Sequence, residues 1–212
     1  EFRRVLFRST WSEWSAEGFR KDGIDKNKIK VIPLPYEVKP LKLKHDGINV
    51  LFIGRDIKRK GGDVALAIMK RIAQVRKGVR LIYIGKGISE KHEWLTHYPS
   101  VSISLLHNQI FPLADIFLFP TREEAYGIAA LEALAHGVPV ISSSVGALRE
   151  IVENGIDGYT VKNEDEMQDK LLRLIDDDEL RIRMSENALN RVSMFHDPQR
   201  VSKMVKEIYD KI

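Results

Sequence analysis

Apolar runs of strand length alternate with stretches of helical period along most of this chain, and glycine or proline closes several of the runs. "INVLFIG" (48–54), "VRLIYIG" (79–85), "VSISLL" (101–106), "DIFLFP" (115–120), "VPVISSS" (138–144) and "GYTV" (158–161) read as strands. Helical period marks 61–77, 88–98, 126–137 and 146–152, and three further helices close the chain over 164–177, 178–193 and 198–212. A strand that is apolar on both faces must be covered on both faces, which a parallel sheet between helical layers achieves. The alternation therefore predicts an α/β fold with a doubly wound, Rossmann-like parallel sheet. Ligands of such sheets bind beyond the carboxyl ends of the strands, where these glycines and prolines gather.

Upstream, "TWSEWSAEGFRKD" (10–22) reads as a helix with Trp11, Trp14 and Phe19 on its apolar stripe, and 28–32 reads as a short strand stopped by Pro33 and Pro35. The Pro- and Lys-rich stretch 36–47 reads as a solvated linker, with an acidic membrane face as the alternative partner for its lysines. The first nine residues, "EFRRVLFRS", lack a Met and share no period with the residues after them. They match one reading frame of a common sequencing-adapter tail. Residues 1–9 are therefore expected to be a cloning or assembly scar outside the fold, with a natural amino-terminal part missing before residue 10. The scar holds three Arg and one Glu, so 34 basic and 30 acidic residues become 31 and 29, a net charge of +2 rather than +4. Little is left to suggest nucleic-acid binding. With no cysteine, thiolate zinc sites, disulfides and cysteine nucleophiles are excluded. No apolar run approaches the roughly 18 to 20 residues of a membrane helix, and the cytoplasm is the expected compartment.

Chemistry concentrates in two loops. In "FIGRDIKRKGG", Gly54 permits a sharp turn, Arg55, Lys58, Arg59 and Lys60 supply four cations, and Gly61 and Gly62 open the next helix. Cations beside a helix amino terminus favour phosphate, although a charge run of this kind is also what a solvated turn looks like. Gly85 and Gly87 form a lone G-x-G without the third glycine of a dinucleotide fingerprint, so a tight strand-to-helix turn accounts for them equally well.

The second loop carries Glu124 and, eight residues on, Glu132 in an otherwise apolar stretch. On one helix that spacing means a rise of about 12 Å and a rotation of roughly 80°, too far apart to grip one atom. The pair suits an extended polyol, and a carboxylate matches a vicinal diol. If a helix begins near Tyr126, the N–H groups of Ala125, Tyr126, Gly127 and Ile128 stand at its mouth, suited to a diphosphate. Capping by Glu124 and a protein partner for Glu132 are the structural alternative. The histidines show no metal-ligand spacing, and His136 sits at a helix end that favours a cation.

From residue 10 onward the chain resembles the carboxy-terminal domain of family 4 retaining glycosyltransferases of GT-B architecture. "STWSEWSAEGFRKDGIDKNKIKVIPLP" is similar to the family's inter-domain hinge, "LFIGRDIKRKGGDVAL" to its phosphate loop, and "PTREEAYGIAALEALAHGVPVISSSVGALREIVENGIDGYTV" to its Glu-bearing signature. The closing helix is similar to its return segment. The resemblance implies one half of a two-domain enzyme that transfers a hexosyl group from a UDP- or GDP-sugar, without a metal, to a glycan, lipid or small-molecule acceptor. It implies Arg55 and Lys60 on the donor diphosphate, Glu124 beside the donor sugar, Glu132 on the ribose and the 125–128 backbone on phosphate and sugar. Arg55, Lys60 and Glu124 are then the catalytic candidates, and Gly54 joins the donor contacts. The implied organisation is a hinge and linker over 10–47, a nucleotide-sugar domain over 48–190 and a return helix over 191–212.

Asp176, Asp177 and Asp178 mimic the metal-binding Asp-x-Asp of another glycosyltransferase fold but fall between surface helices, where they read as a solvated turn. The stretch 101–115 is shorter than the family's usual span in a region that contacts the base, and the acceptor domain is absent. The chain alone is therefore expected to bind donor weakly and transfer nothing. Peripheral location at the inner membrane face is compatible with this reading. A non-hydrolysing nucleotide-sugar epimerase and a non-catalytic nucleotide-sugar-binding module are the alternatives, and a nicotinamide dehydrogenase is disfavoured by the missing glycine.

Overall fold

A computed structural model describes residues 7–210. Six parallel strands form the sheet: β3 (Ile48–Ile53), β4 (Val79–Ile84), β5 (Leu95–Tyr98), β6 (Ile116–Phe119), β7 (Val140–Ser143) and β8 (Gly158–Val161). Their spatial order is β5-β4-β3-β6-β7-β8. The chain builds outward from β3 through β4 to β5, returns to the middle, and builds outward again through β6 and β7 to β8. Strand order reverses between β3 and β6, where Val50 lies opposite Ile116, so the crevice expected of such sheets opens beyond Ile53 and Phe119.

Each strand divides its side chains between two layers, as a two-residue period requires. Leu51, Ile82, Ile84, Phe117 and Phe119 pack on one face with α5 (Ile128–Ala135), α6 (Leu148–Ile151) and α8 (Asp178–Phe195). Val50, Phe52, Leu81, Tyr83, Ile116 and Leu118 pack on the other with α2 (Gly62–Val75) and α7 (Glu164–Asp176). The expected Rossmann-like sheet is the observed one. No helix among the described residues is long and apolar enough to cross a membrane.

Two expected elements exchange character. Residues 88–98, read as a helix, hold no helix, and their last part is the edge strand β5, whose Leu95 to Tyr98 pair with Leu81 to Ile84 of β4. Helix formers in "ISEKHEW" suggested a helix, but the open edge of β4 offers backbone partners to "LTHY". Residues 101–106, read as a strand, hold no strand, and a helical stretch begins at Ile103: α3 (Ile103–Leu105), a π-turn (Leu106–Ile110) and α4 (Phe111–Leu113). The apolar alternation over 101–105 misled, because Ser102 caps the segment by accepting the Leu105 N–H at 3.1 Å.

Upstream, α1 (Glu13–Lys21) lies between β1 (Arg8–Thr10) and β2 (Ile29–Val31), which pair in parallel. Arg8 and Ser9 thus belong to the fold, against the expectation that residues 1–9 stand outside it, while residues 1–6 lie outside the described residues. The expected linker 36–47 has no regular structure, yet it is a fastened strap rather than a solvated tether. Tyr36 N–H donates to His196 O and Lys39 N–H to Ala135 O, both at 2.7 Å, and Leu43 N–H to Pro112 O at 2.9 Å. Lys42 Nζ donates to Ala114 O at 2.7 Å. The expected 190/191 boundary falls inside α8, and the last helix is α9 (Pro198–Tyr209).

The loops after β3 and β6 touch through Gly61. Its φ is +71°, and a Cβ there would lie 1.9 Å from the Pro120 carbonyl oxygen. Alanine at this position meets both a left-handed backbone and a fixed main-chain atom. Gly61→Ala is expected to destabilise the chain by roughly 2–4 kcal/mol. Urea unfolding would measure it, and a loss under about 0.5 kcal/mol would contradict the close approach.

Candidate active site

The two loops at the crevice are stitched together by main-chain bonds. Arg122 N–H donates to Arg59 O at 2.8 Å. The Thr121 hydroxyl reaches Glu123 O at 2.8 Å and Arg59 O at 3.2 Å. Arg122 also grips Asp63 of α2 through two bonds of 2.8 and 2.9 Å, which holds the Asp63 carboxyl below the usual carboxylate range. This frame fixes where the charged side chains stand.

Lys60 and Glu124, one from each loop, meet at 2.5 Å between Nζ and Oε2. Their side chains are only 16% and 15% exposed, and the ammonium lies 5.1 Å above the Phe119 ring. Of the other expected cations, Arg59 is tied to Asp56 and to the Glu123 carbonyl. Arg55 and Lys58 are exposed and make no side-chain hydrogen bond within the described residues. Arg55 is therefore an uncommitted cation at the mouth of the crevice.

Helix α5 begins at Ile128, two residues later than Tyr126, with Gly127 as its cap at φ +106°. Among the described residues the N–H groups of Ala125, Tyr126, Gly127 and Ile128 find no protein acceptor. Their carbonyl side is held, since Ala147 N–H donates to Ala125 O at 3.2 Å and a Cβ on Gly146 would lie 1.8 Å from Glu124 O. The Tyr126 ring turns away into the core and meets Trp11 at 5.4 Å, and burial pushes its hydroxyl up to about 12. Only the backbone of Tyr126 is available to a ligand.

Glu132 sits about one turn inside α5. The Tyr36 hydroxyl donates to its Oε1 at 3.4 Å, and His107 Nε2 stands 3.6 Å from the same oxygen. Burial pushes the carboxyl up, opposed by the Tyr36 hydrogen bond and the Lys39 charge. His107 Nδ1 in turn lies 3.0 Å from His136 Nε2. Sequence spacing assigned neither histidine a role and passed over Tyr36, which stands 96 positions from its partner.

Two cavities flank the crevice. One of about 540 Å³ opens beyond β3 and β4, with Arg55 and Lys86 at its rim and Ile53, Ile84, Val101 and Leu106 as apolar walls. Leu106 of this cavity is followed in the chain by His107, the residue beside Glu132. The other, about 440 Å³, is lined by Trp14, Arg59, Glu123, Glu124 and Ala125. Arg55 and Glu124 thus face neighbouring cavities joined by the loop that carries Lys60. The G-x-G turn is a packing device, because a Cβ on Gly85 would lie 2.1 Å from Gly54 O. The acidic run is likewise committed: Asp176 pairs with Arg76 at 2.7 Å, Asp177 caps α8, and Asp178 meets Arg181 at 2.6 Å. Among the described residues no group of three or more His, Asp or Glu gathers as a metal site.

Comparison with known proteins agrees with this arrangement. Residues 36–191 match the family described as glycosyl transferases group 1. The capsular polysaccharide biosynthesis glycosyltransferase CapM of Staphylococcus aureus is 29% identical over 208 residues, 91% of this chain and 52% of the relative. An uncharacterized 41.2 kDa protein in the cps region of Klebsiella pneumoniae is 34% identical over 170 residues, 73% of this chain and 46% of the relative. The chain spans about half the length of the curated relatives it matches. Among solved structures, a glycosyltransferase from Rickettsia africae superposes with a TM-score of 0.83 at 18% identity, over 96% of this chain and 62% of that one. Anabaena Alr3699/HepE in complex with UDP superposes with a TM-score of 0.82 at 17% identity, over 97% and 64%. These two likenesses speak for the fold. With its phosphate-type loop and its Glu-bearing loop meeting at the switch point, and with most of its length matched, the chain belongs to the glycosyl transferases group 1 family.

Proposed function

We propose that this chain is the donor-binding half of a retaining, family 4 glycosyltransferase that moves a hexosyl group from a UDP- or GDP-sugar to a glycan or lipid acceptor. The observation that carries the reading is the meeting of Lys60 and Glu124 at 2.5 Å beside the N–H groups of 125–128, which have no acceptor among the described residues. Cation, acceptor and helix-mouth donors stand together where a sheet of this order binds its ligand. The likeness in fold to a protein solved in complex with UDP supports the same reading.

In this reading the diphosphate lies between Arg55 and the 125–128 backbone. The nucleoside occupies the 540 Å³ cavity with its ribose toward Glu132. The donor sugar lies on the Glu124 side, where the carboxylate accepts from a hydroxyl. As the bond from the anomeric carbon to the phosphate oxygen breaks, charge builds on the departing diphosphate. Lys60, held in advance by Glu124, and Arg55, at the mouth of the crevice, stabilise that charge more than they stabilise the intact donor. The chemistry is expected to run without a metal. The acceptor is proposed to reach Glu124 through a second domain, in the cytoplasm, with the Lys-rich strap as a contact for an acidic membrane face.

Calorimetry with UDP-glucose and GDP-mannose tests the reading. One of them should bind, Lys60→Ala should weaken it by roughly tenfold or more, and Arg55→Ala should weaken it and flatten its salt dependence. Binding of NADH with neither sugar nucleotide bound would overturn the proposal.

Glu132→Ala should abolish measurable donor binding while leaving the melting temperature within a few degrees of the parent. The 212-residue chain alone should release no nucleotide in a transfer assay with sugar acceptors; steady transfer by this chain would show that it needs no second domain.

A further inference from the structure

The imidazoles of His107 and His136 form a short relay that ends on Glu132. His136, at the end of α5, is 1% exposed and stacks on Phe111 at 4.7 Å between ring centroids. His107 stacks on His136 at 5.2 Å, and their facing nitrogens are 3.0 Å apart. The outer nitrogen of His107 faces Glu132 Oε1 at 3.6 Å, somewhat beyond a hydrogen bond. Glu132 Oε2 takes no hydrogen bond from the described residues.

Proton placement decides what such a relay does. Burial pushes His136 down to about 4 and lowers His107 as well, so both rings are neutral near pH 7. One proton must lie between His107 Nδ1 and His136 Nε2. If His107 supplied it, its Nε2 would turn a lone pair toward a carboxylate. If His136 supplies it, His107 carries its proton on Nε2 and presents a donor to Glu132. Only the second arrangement satisfies the acid, and it makes His136 Nδ1, buried and without a hydrogen-bond partner among the described residues, the unprotonated nitrogen of that ring. His107 lies on a π-turn, a geometry that re-aims one side chain within a helical segment.

We propose that His107 is a positioning residue for the donor's nucleoside: its Nε2–H steadies one oxygen of Glu132, the second oxygen is left to the ribose hydroxyls, and His136 sets the tautomer. This rests on the reading of Glu132 as the ribose acceptor. The relay adds no contact to the ligand. It narrows the rotation of a carboxylate that otherwise has a single 3.4 Å hydrogen bond, from Tyr36. The groups around His107 are Glu132, His136, Phe111 and the Lys39 charge.

Calorimetry with UDP and GDP, and with the 2′,3′-dideoxy form of whichever binds, separates this role from packing. His107→Leu keeps an apolar side chain against Phe111 but removes the donor; His107→Gln keeps a donor at nearly the same reach. Leucine should weaken the ribonucleotide roughly tenfold and leave the dideoxy nucleotide unchanged, and glutamine should recover most of the loss. Equal weakening of both nucleotides by leucine would show a packing role, and no weakening of either would show no role; each overturns the proposal while the donor reading stands. If the parent chain bound neither UDP nor GDP, the donor reading would fall and this inference with it.

Discussion

The site depends on one ion pair. Lys60 and Glu124 come from loops after different strands, and they meet only because β3 and β6 are neighbours at the point where strand order reverses. Both charges are largely removed from water, which costs each its hydration unless the partner is close and held. The surrounding frame does the holding: Arg122 on Asp63, the Thr121 hydroxyl on two carbonyls, and Gly61 against Pro120. A ligand with phosphates and hydroxyls would offer both charges new partners, and the pair satisfies each charge in the absence of one.

Much of the sheet could be read from the sequence because its central strands are apolar on both faces and end in glycine or proline. β3, β4 and β6 carry that signal in full, β7 carries its apolar run without the closing glycine or proline, and all four stand where the pattern places them. The stretch 88–113 does not. β5 is an edge strand with alternate residues half-exposed, and what makes it a strand is the free edge of β4, which no local pattern records. The segment after it became helical through a serine cap and the packing of Ile110 and Phe111 into the core. Both errors lie where tertiary partners, not local period, decide the outcome.

The site divides along the same line. The end proposed for a diphosphate was legible as a pair of loops, because Arg55, Lys60, Gly61 and the Glu124–Gly127 backbone lie in two contiguous stretches whose chemistry needs only local order. The end proposed for a nucleoside was legible only as Glu132 itself. Tyr36 and His107 reach that carboxylate from far along the chain, one on a strap and one on a π-turn. No spacing rule joins such residues, and a strap rich in lysine and proline looks like a solvated tether until its hydrogen bonds are seen.

The two ends of the site are held by different parts of the chain. The loops around Lys60 are fixed by several short main-chain bonds within the sheet's own frame. Of the two groups beside Glu132, Tyr36 depends on the strap, which is anchored to the ends of α8 and α5 through Tyr36 and Lys39, and His107 stands on the π-turn. The strap also continues directly from β2 and Pro33, so Tyr36 is tied to the β1–β2 unit. The upstream segment borders the other end of the site as well: Trp11 meets the Tyr126 ring at 5.4 Å, Trp14 lines the cavity that Glu124 faces, and the N–H groups of Glu13 and Trp14 donate to Glu150. Both ends of the crevice therefore rest in part on residues upstream of the sheet.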